Sequence, residues 1–116
     1  MQDVPYRVEK PWGHELIWAR TDRYVGKILH VKAGHVLSCQ YHHVKDETMH
    51  VLSGELILRI GTVEKLEERA FRAGESVHIR AGVVHQIEAI TDTDVLEAST
   101  PELDDLVRIS DRYGRS

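Results

Sequence analysis

Short apolar stretches, separated by glycines that favour turns, place the tightest limit on how this chain can fold. Seven of them occupy residues 24–31, 36–42, 48–52, 55–60, 76–79, 84–90 and 95–99. The glycines within or between them are Gly26, Gly34, Gly54, Gly61, Gly74 and Gly82. Many short strands at such spacing are typical of a sandwich or a barrel. The sequence therefore predicts an all-β fold.

Two segments do not follow this pattern. The stretch 63–70, VEKLEERA, is charged and has one leucine in eight residues, so it makes a poor helix. We expect a charged hairpin or an edge strand there. After Pro101 the chain becomes acidic around a few apolar residues, which indicates a short closing helix or an extended arm packed on the barrel. The length of 116 residues suits one domain over 1–116.

Charge and composition exclude several classes of partner. The formal net charge is −4 and the basic residues form no block, which argues against a nucleic-acid surface. The first ten residues are polar, so we expect no signal peptide, and no apolar run approaches the roughly 18 residues that a membrane span needs. Cys39 is the one cysteine and has no partner for an internal disulfide. We expect a cytoplasmic protein that binds neither nucleic acid nor membrane.

Histidine is unusually frequent, with eight in the chain and four between His30 and His43. Histidine is the commonest metal ligand in proteins and also a base near neutral pH. Alternate side chains of a strand share a face, so Gln40 and His42 point one way and His43 the other. If the strands on either side of the following turn pair as a hairpin, Glu47 returns its carboxylate to the face of His42.

A second candidate ligand lies far along the chain. A turn at Gly82 places His85 near the start of a new strand, and a closed barrel can bring distant strands together. Two imidazoles, a carboxylate and an amide oxygen suit one divalent transition metal, Zn, Mn, Fe, Co or Ni. The absence of a thiolate disfavours a closed structural zinc site. The predicted ligands are Gln40, His42, Glu47 and His85, and the alternative role for Gln40 is a hydrogen bond that orients His42.

These stretches resemble the paired sequence motifs of cupins. The residues that match the first motif are Gly34, Gln40, His42, Glu47 and Gly54, with glutamine in place of its first histidine. The residues that match the second motif are Gly74, Gly82 and His85. The resemblance implies a single-domain cupin, a jelly-roll barrel also described as a double-stranded β-helix. It also implies the same four metal ligands.

Within cupins, the chain is most similar to the isomerase domain of type II mannose-6-phosphate isomerases. The segments that carry this likeness are KPWG at 10–13, LSCQYHH at 37–43, DDLVR at 104–108 and DRYGR at 111–115. The chain departs from that family at Val36, where Arg or Lys is usual. The resemblance implies a metal-dependent enzyme that isomerises or epimerises a sugar or sugar phosphate.

Two other functions fit the same residues. If Gln40 is not a ligand, then His42, Glu47 and His85 form a 2-His-1-carboxylate triad, which is typical of non-haem metal oxygenases. The third reading is a non-catalytic module that binds or senses a sugar. All three readings predict a small-molecule ligand.

The sequence pattern says less about which residues act as the catalytic base or bind the substrate. The candidates for the catalytic base are Lys27, His50 and His78, with His30 as a further possibility. The candidates for substrate binding are Lys27, Arg59 and Arg115, because cationic side chains suit an anion. We expect Lys45 to be a solvated residue of the turn. The segment 4–8 is expected to extend the sheet of a partner chain, so we predict a homodimer.

Overall fold

The computed structural model describes residues 3–114, which form eleven β-strands and no α-helix. The strands are β1 (Tyr6–Lys10), β2 (Gly13–Arg20), β3 (Val25–Val31), β4 (Cys39–His42), β5 (Glu47–Ser53), β6 (Glu55–Gly61), β7 (Leu66–Arg72), β8 (Ser76–Ile79), β9 (Val84–Ala89), β10 (Thr93–Ser99) and β11 (Leu106–Ser110). The all-β prediction is confirmed. No helix in this part of the chain has the length and apolar character needed to cross a bilayer.

The strands form two antiparallel sheets. The six-stranded sheet has the order β1-β2-β3-β10-β5-β8, and the five-stranded sheet has the order β11-β4-β9-β6-β7. Strands that follow each other in sequence therefore often lie in different sheets. In particular, β4 and β5 do not form the expected hairpin, because the chain crosses between sheets at the turn that joins them. This crossing lets a residue of one sheet face a residue of the other.

Alternation of buried and solvent-facing residues positions both the core and the polar cavity. In β10 the inward positions are Thr93, Val95, Glu97 and Ser99, and each is less than 9% exposed. Val95 packs in the apolar core, whereas Ser99 pairs with Glu47 at the start of β5. The inward face of β10 thus changes from apolar to charged along its length. The charged end adjoins the candidate site.

The structure tests the sequence predictions for three segments. Residues 63–70 form a turn and most of β7, the outermost strand of its sheet, as predicted. After Pro101 the chain extends and pairs as β11 with β4, so the arm alternative is confirmed and the helix alternative is wrong. The β1–β2 hairpin was not anticipated: Tyr6 pairs with Ile17 and Lys10 with Gly13. The segment 4–8 thus contributes a strand to its own chain's sheet.

Candidate metal centre

Three predicted ligands converge in the structure. His42 ends β4, His85 lies on the adjacent β9, and Glu47 begins β5 in the opposite sheet. The Glu47 Oε1 atom is 3.1 Å from His85 Nε2 and 3.6 Å from His42 Nε2. The three ligand atoms all lie within 4.8 Å of one another, and all three residues are buried. Bonds of about 2.1 Å to one ion would put such donors roughly 3.0–3.5 Å apart.

Hydrogen bonds on the far side of each imidazole determine which nitrogen carries the proton. His85 Nδ1 is 3.0 Å from the carbonyl oxygen of Val83, which can only accept, so Nδ1 carries the hydrogen. His42 Nδ1 is 3.3 Å from Oδ1 of Asp105, and the same argument applies. Both Nε2 lone pairs therefore face Glu47. This is the arrangement of histidine ligands whose outer partners orient them toward a metal.

The converging atoms offer a site for a cation. Among residues 3–114, His42 Nε2, Glu47 Oε1 and His85 Nε2 are buried without a hydrogen-bond partner. Three acceptors that face one another without a donor are costly in a buried site. Two imidazole nitrogens and a carboxylate oxygen are a common ligand set for a divalent transition metal. The donor set therefore fits such an ion.

The electrostatic surroundings keep the His42 imidazole in its neutral form, which is the form that binds a metal. Burial, then the positive charge of Lys45, lowers the pKa of His42 to about 4, so the imidazole is neutral at neutral pH. Burial, then the neighbouring Glu97, raises the pKa of Glu47. For Asp105, burial opposes ionisation, but bonds from the backbone N–H groups of Lys45 and Val44 outweigh it and lower the pKa of the carboxyl. Asp105 is thus an ionised acceptor for His42.

The fourth predicted ligand lies beside this group. Gln40 pairs with His85 across β4 and β9 and lines the same cavity as His42. Its Oε1 atom accepts a hydrogen bond of 2.6 Å from the hydroxyl of Ser38. A carbonyl oxygen has two lone pairs, so this bond leaves one for another partner. A ligand role for Gln40 stays a prediction.

A cavity of about 190 Å³ is lined by His42 and Glu47. Its apolar walls include Trp12, Leu37 and Met49 from three different parts of the chain. The strands β1 and β11, at the edges of the two sheets, both contribute to it. Its cationic lining residues are Lys10, Lys27, Lys45 and Arg108, and its acidic ones are Glu15, Glu47 and Glu97. The cavity is therefore a polar, charged pocket with an apolar floor.

Sequence reasoning missed a buried ion-pair group in this cavity. Lys45 was expected to be solvated, but it is 5% exposed. Its Nζ atom is 2.7 Å from Glu97 Oε1 and 3.3 Å from Glu47 Oε2. Burial by itself disfavours the charged amine, but Glu97 and then Glu47 outweigh it and raise the pKa of Lys45. Glu97 could have been found from the sequence, because strand alternation puts it on the same inward face of β10 as Val95.

The candidate bases are divided between the inside and the outside of the barrel. Lys27 lines the cavity, with its Nζ atom 3.4 Å from Glu15 Oε1. His50 and His78 lie on outward positions of β5 and β8 and do not line the cavity, which removes the geometric basis for a catalytic role. Their contacts are with Ser76 Oγ for His50 and Asp46 Oδ1 for His78, each at 2.7 Å.

The other candidates also lie away from the cavity or beyond the described part of the chain. His30 Nδ1 is 2.7 Å from Asp94 Oδ1, on the outer side of β3 and β10. Arg59 forms ion pairs with Glu88 at 2.7 Å and Glu68 at 3.0 Å, across neighbouring strands of the five-stranded sheet. Arg59 does not line the cavity. Arg115 lies outside the described residues 3–114.

Comparisons with solved structures agree on the fold. KdgF from Halomonas sp. superposes with a TM-score of 0.74 at 22% identity, over 90% of this chain and 87% of that one. Oxalate decarboxylase from Bacillus subtilis superposes with a TM-score of 0.77 at 10% identity, over 91% of this chain and 30% of that one. Such neighbours have the cupin double-stranded β-helix. The fold predicted from the sequence motifs is confirmed.

Sequence comparisons identify the family. The mannose-1-phosphate guanylyltransferase of Escherichia coli K12 is 36% identical over 97% of this chain and 24% of its own length. The xanthan biosynthesis protein XanB of Xanthomonas campestris pv. campestris strain B100 is 30% identical over 95% of this chain and 24% of its own. The chain thus spans about a quarter of these relatives. A family model described as Mannose-6-phosphate isomerase C-terminal matches residues 2–111, and the chain belongs to that family of cupins.

Proposed function

We propose that this chain holds one divalent transition metal through His42, Glu47 and His85 and isomerises or epimerises a sugar or sugar phosphate. The observation that carries the proposal is the meeting of three buried acceptor atoms, without a donor between them, beside a charged cavity. The names of the curated relatives support a sugar phosphate, because mannose 1-phosphate is one. We also propose Gln40 as a fourth ligand and a cytoplasmic location.

The chain's own residues suggest how such a reaction would proceed. When bound, the metal would act as a Lewis acid on neighbouring carbonyl and hydroxyl oxygens of the sugar. Moving a hydrogen between adjacent carbons also needs a group that accepts and returns a proton. Lys27 and Glu97 both face the cavity and pair directly across β3 and β10. They are the groups that we propose for proton transfer, in place of His50 and His78.

Metal binding is the first test of this proposal. We expect the chelator-treated protein to take up one equivalent of Co²⁺ or Zn²⁺ in a calorimetric titration. His42→Ala and His85→Ala should each abolish stoichiometric binding while far-ultraviolet circular dichroism shows a folded barrel. His43→Ala is the matched control, because His43 is the exposed neighbour of His42 and should bind metal normally. Full metal retention in both ligand variants would contradict the proposal.

Turnover is the second test. Mannose 6-phosphate and a panel of other sugar phosphates are incubated in D₂O with the metal-loaded protein and followed by NMR. We expect deuterium to enter at the carbon next to the carbonyl as the sugar interconverts. The His85→Ala variant should show no exchange. Absence of deuterium uptake across the panel would count against an isomerase or epimerase.

The second candidate function is a non-haem metal oxygenase. It is favoured by the convergence of His42, Glu47 and His85 within 4.8 Å, because two histidines and one carboxylate are the ligand set typical of such enzymes. Anaerobic loading with Fe²⁺, followed by measurement of oxygen consumption with the same sugars, separates the two functions. Oxygen uptake without deuterium exchange indicates the oxygenase. Sugar binding without either reaction indicates a binding module.

A further inference from the structure

The two oxygens of the Glu47 carboxylate face different partners. Oε1 faces the Nε2 atoms of His42 and His85, as described above. Oε2 lies 3.3 Å from the ammonium nitrogen of Lys45. Glu47 is 2% exposed, so bulk solvent screens these contacts little. Lys45 therefore pairs with the second oxygen, while the first faces the imidazoles.

Lys45 also holds a second carboxylate. Its Nζ atom is 2.7 Å from Oε1 of Glu97, a residue that is 3% exposed and faces the cavity from β10. The carboxyl groups of Glu47 and Glu97 are near enough to interact directly. Two buried carboxylates without a counter-charge would repel each other strongly. Any divalent ion held by Glu47 would then attract Glu97 as well.

We infer that Lys45 is a positioning residue that presents Glu47 to the metal through one oxygen and keeps Glu97 out of the ligand set. Coordination positions then stay open toward the cavity, where a sugar would bind. The inference rests on the proposed function in one respect, that the metal occupies the site of His42, Glu47 and His85. Lys45 acts through Glu47 and Glu97 and needs no contact with the substrate.

The test replaces the native metal by Co²⁺, whose visible absorption weakens as its coordination number rises from four toward six. Wild type and Lys45→Met are titrated with Co²⁺ in competition with a chelating dye, and their spectra are recorded. With the cation gone, we expect additional carboxylate oxygen to enter the ligand set. The absorption per cobalt should fall, and the affinity should rise by about 10-fold to 100-fold, because a buried positive charge that repels the ion has been removed.

Two further variants control the experiment. Lys45→Arg keeps the positive charge and should restore the wild-type spectrum and affinity. The double variant Lys45→Met/Glu97→Gln removes one positive and one negative charge, which guards against failure to fold. It should show the weaker cobalt absorption, because Glu47 can use both oxygens, with a smaller gain in affinity than Lys45→Met because Glu97 has lost its charge.

The outcomes separate this inference from the proposed function. If wild type binds one Co²⁺ and the folded Lys45→Met and double variants match its spectrum and affinity, the role of Lys45 is overturned while the metal site stands. If wild type does not bind Co²⁺, both are overturned. If the variants behave as expected but the metal-loaded wild type shows no deuterium exchange, the role of Lys45 stands and the isomerase proposal fails.

Discussion

Asp105 connects the C-terminal part of the chain to the candidate metal centre through one carboxylate. Its Oδ1 atom is 3.3 Å from His42 Nδ1, and its Oδ2 atom accepts hydrogen bonds from the backbone N–H groups of Val44 at 2.6 Å and Lys45 at 2.9 Å. It therefore fixes both the ring of His42 and the turn that leads to Glu47. Partners of this kind orient metal-binding histidines.

Removal of the Asp105 carboxylate should weaken metal binding without removing a ligand. We expect Asp105→Ala to lower the affinity for Zn²⁺ or Co²⁺ by about 10-fold to 100-fold, because His42 loses its orienting partner. A competition titration with a chelating dye measures this change. Asp104→Ala is the control. Asp104 is the exposed neighbour of Asp105, so this substitution should leave the affinity unchanged. Equal affinities for the two variants would exclude the role of Asp105.

His42 should make the metal-free protein less stable as the pH falls. Its pKa is lowered to about 4 in the folded protein, against a value of 6.5 for a free side chain. Between these values the unfolded chain binds a proton at His42 that the folded state does not bind. The free energy of unfolding should therefore decrease as the pH falls from about 6.5 to about 4, by on the order of 2–3 kcal/mol from this residue.

Urea unfolding of the chelator-treated protein across this pH range measures that loss. His42→Gln should show a shallower dependence on pH than wild type, because it cannot titrate. His43→Gln, a change at the exposed neighbouring histidine, should keep the wild-type dependence. Parallel curves for wild type and His42→Gln would refute the assignment.

At the scale of the strands, two glycines show which turns are crowded. Gly54 joins β5 to β6 with a φ of +87°, and a Cβ atom there would lie 2.3 Å from the carbonyl oxygen of Asp92. Gly74, between β7 and β8, has a similar φ of +92° but no atom within 4 Å of the same position. Both turns favour glycine for their backbone conformation. Only the first also requires it for space.

Alanine substitutions should separate these two costs. Gly74→Ala should lose about 1 kcal/mol of unfolding free energy, the usual cost of a left-handed conformation. Gly54→Ala should lose about 2 kcal/mol more, because the backbone near Asp92 must move. Urea unfolding at neutral pH provides both values. Similar losses in the two variants would show that the turn at Gly54 adapts freely.

At the scale of the whole molecule, the charge of the cavity is opposite in sign to that of the chain. The chain has a formal net charge of −4, whereas the cavity lining has four cationic and three acidic side chains. A bound divalent ion would add two more positive charges. An electropositive pocket in a negative protein attracts anionic ligands. For the proposed reaction, this distribution favours a sugar phosphate over a neutral sugar.

Association of two chains is the prediction for the assembly. β1 is the outermost strand of the six-stranded sheet and, in the described part of the chain, pairs with β2 on one side only. An unpaired strand edge can pair with a second copy. We propose a homodimer through this edge, and light scattering should give about twice the chain mass of 13.3 kDa. A mass of one chain at all concentrations would contradict this proposal.

Strand alternation carried more information than the sequence interpretation used. Glu47 faces inward at the start of β5, so a period of two also turns Met49 and Val51 inward and His50 outward. The same rule in β8 turns Val77 and Ile79 inward and His78 outward. These two histidines could thus have been excluded as bases from the sequence. The same alternation would also have indicated Glu97.

The sequence by itself determined the strand-rich fold and the glycine turns, and it predicted His42, Glu47 and His85 as candidate ligands, because these depend on local periodicity and on motif spacing. Tertiary structure decided which charges are buried. Lys45 meets Glu97 from 52 positions away, and His42 meets Asp105 from 63 positions away. A buried charged side chain needs an opposite charge or hydrogen bonds nearby, and for Lys45 and Glu97 each supplies the charge that the other needs. That meeting depends on how the two sheets face each other, which no local pattern specifies.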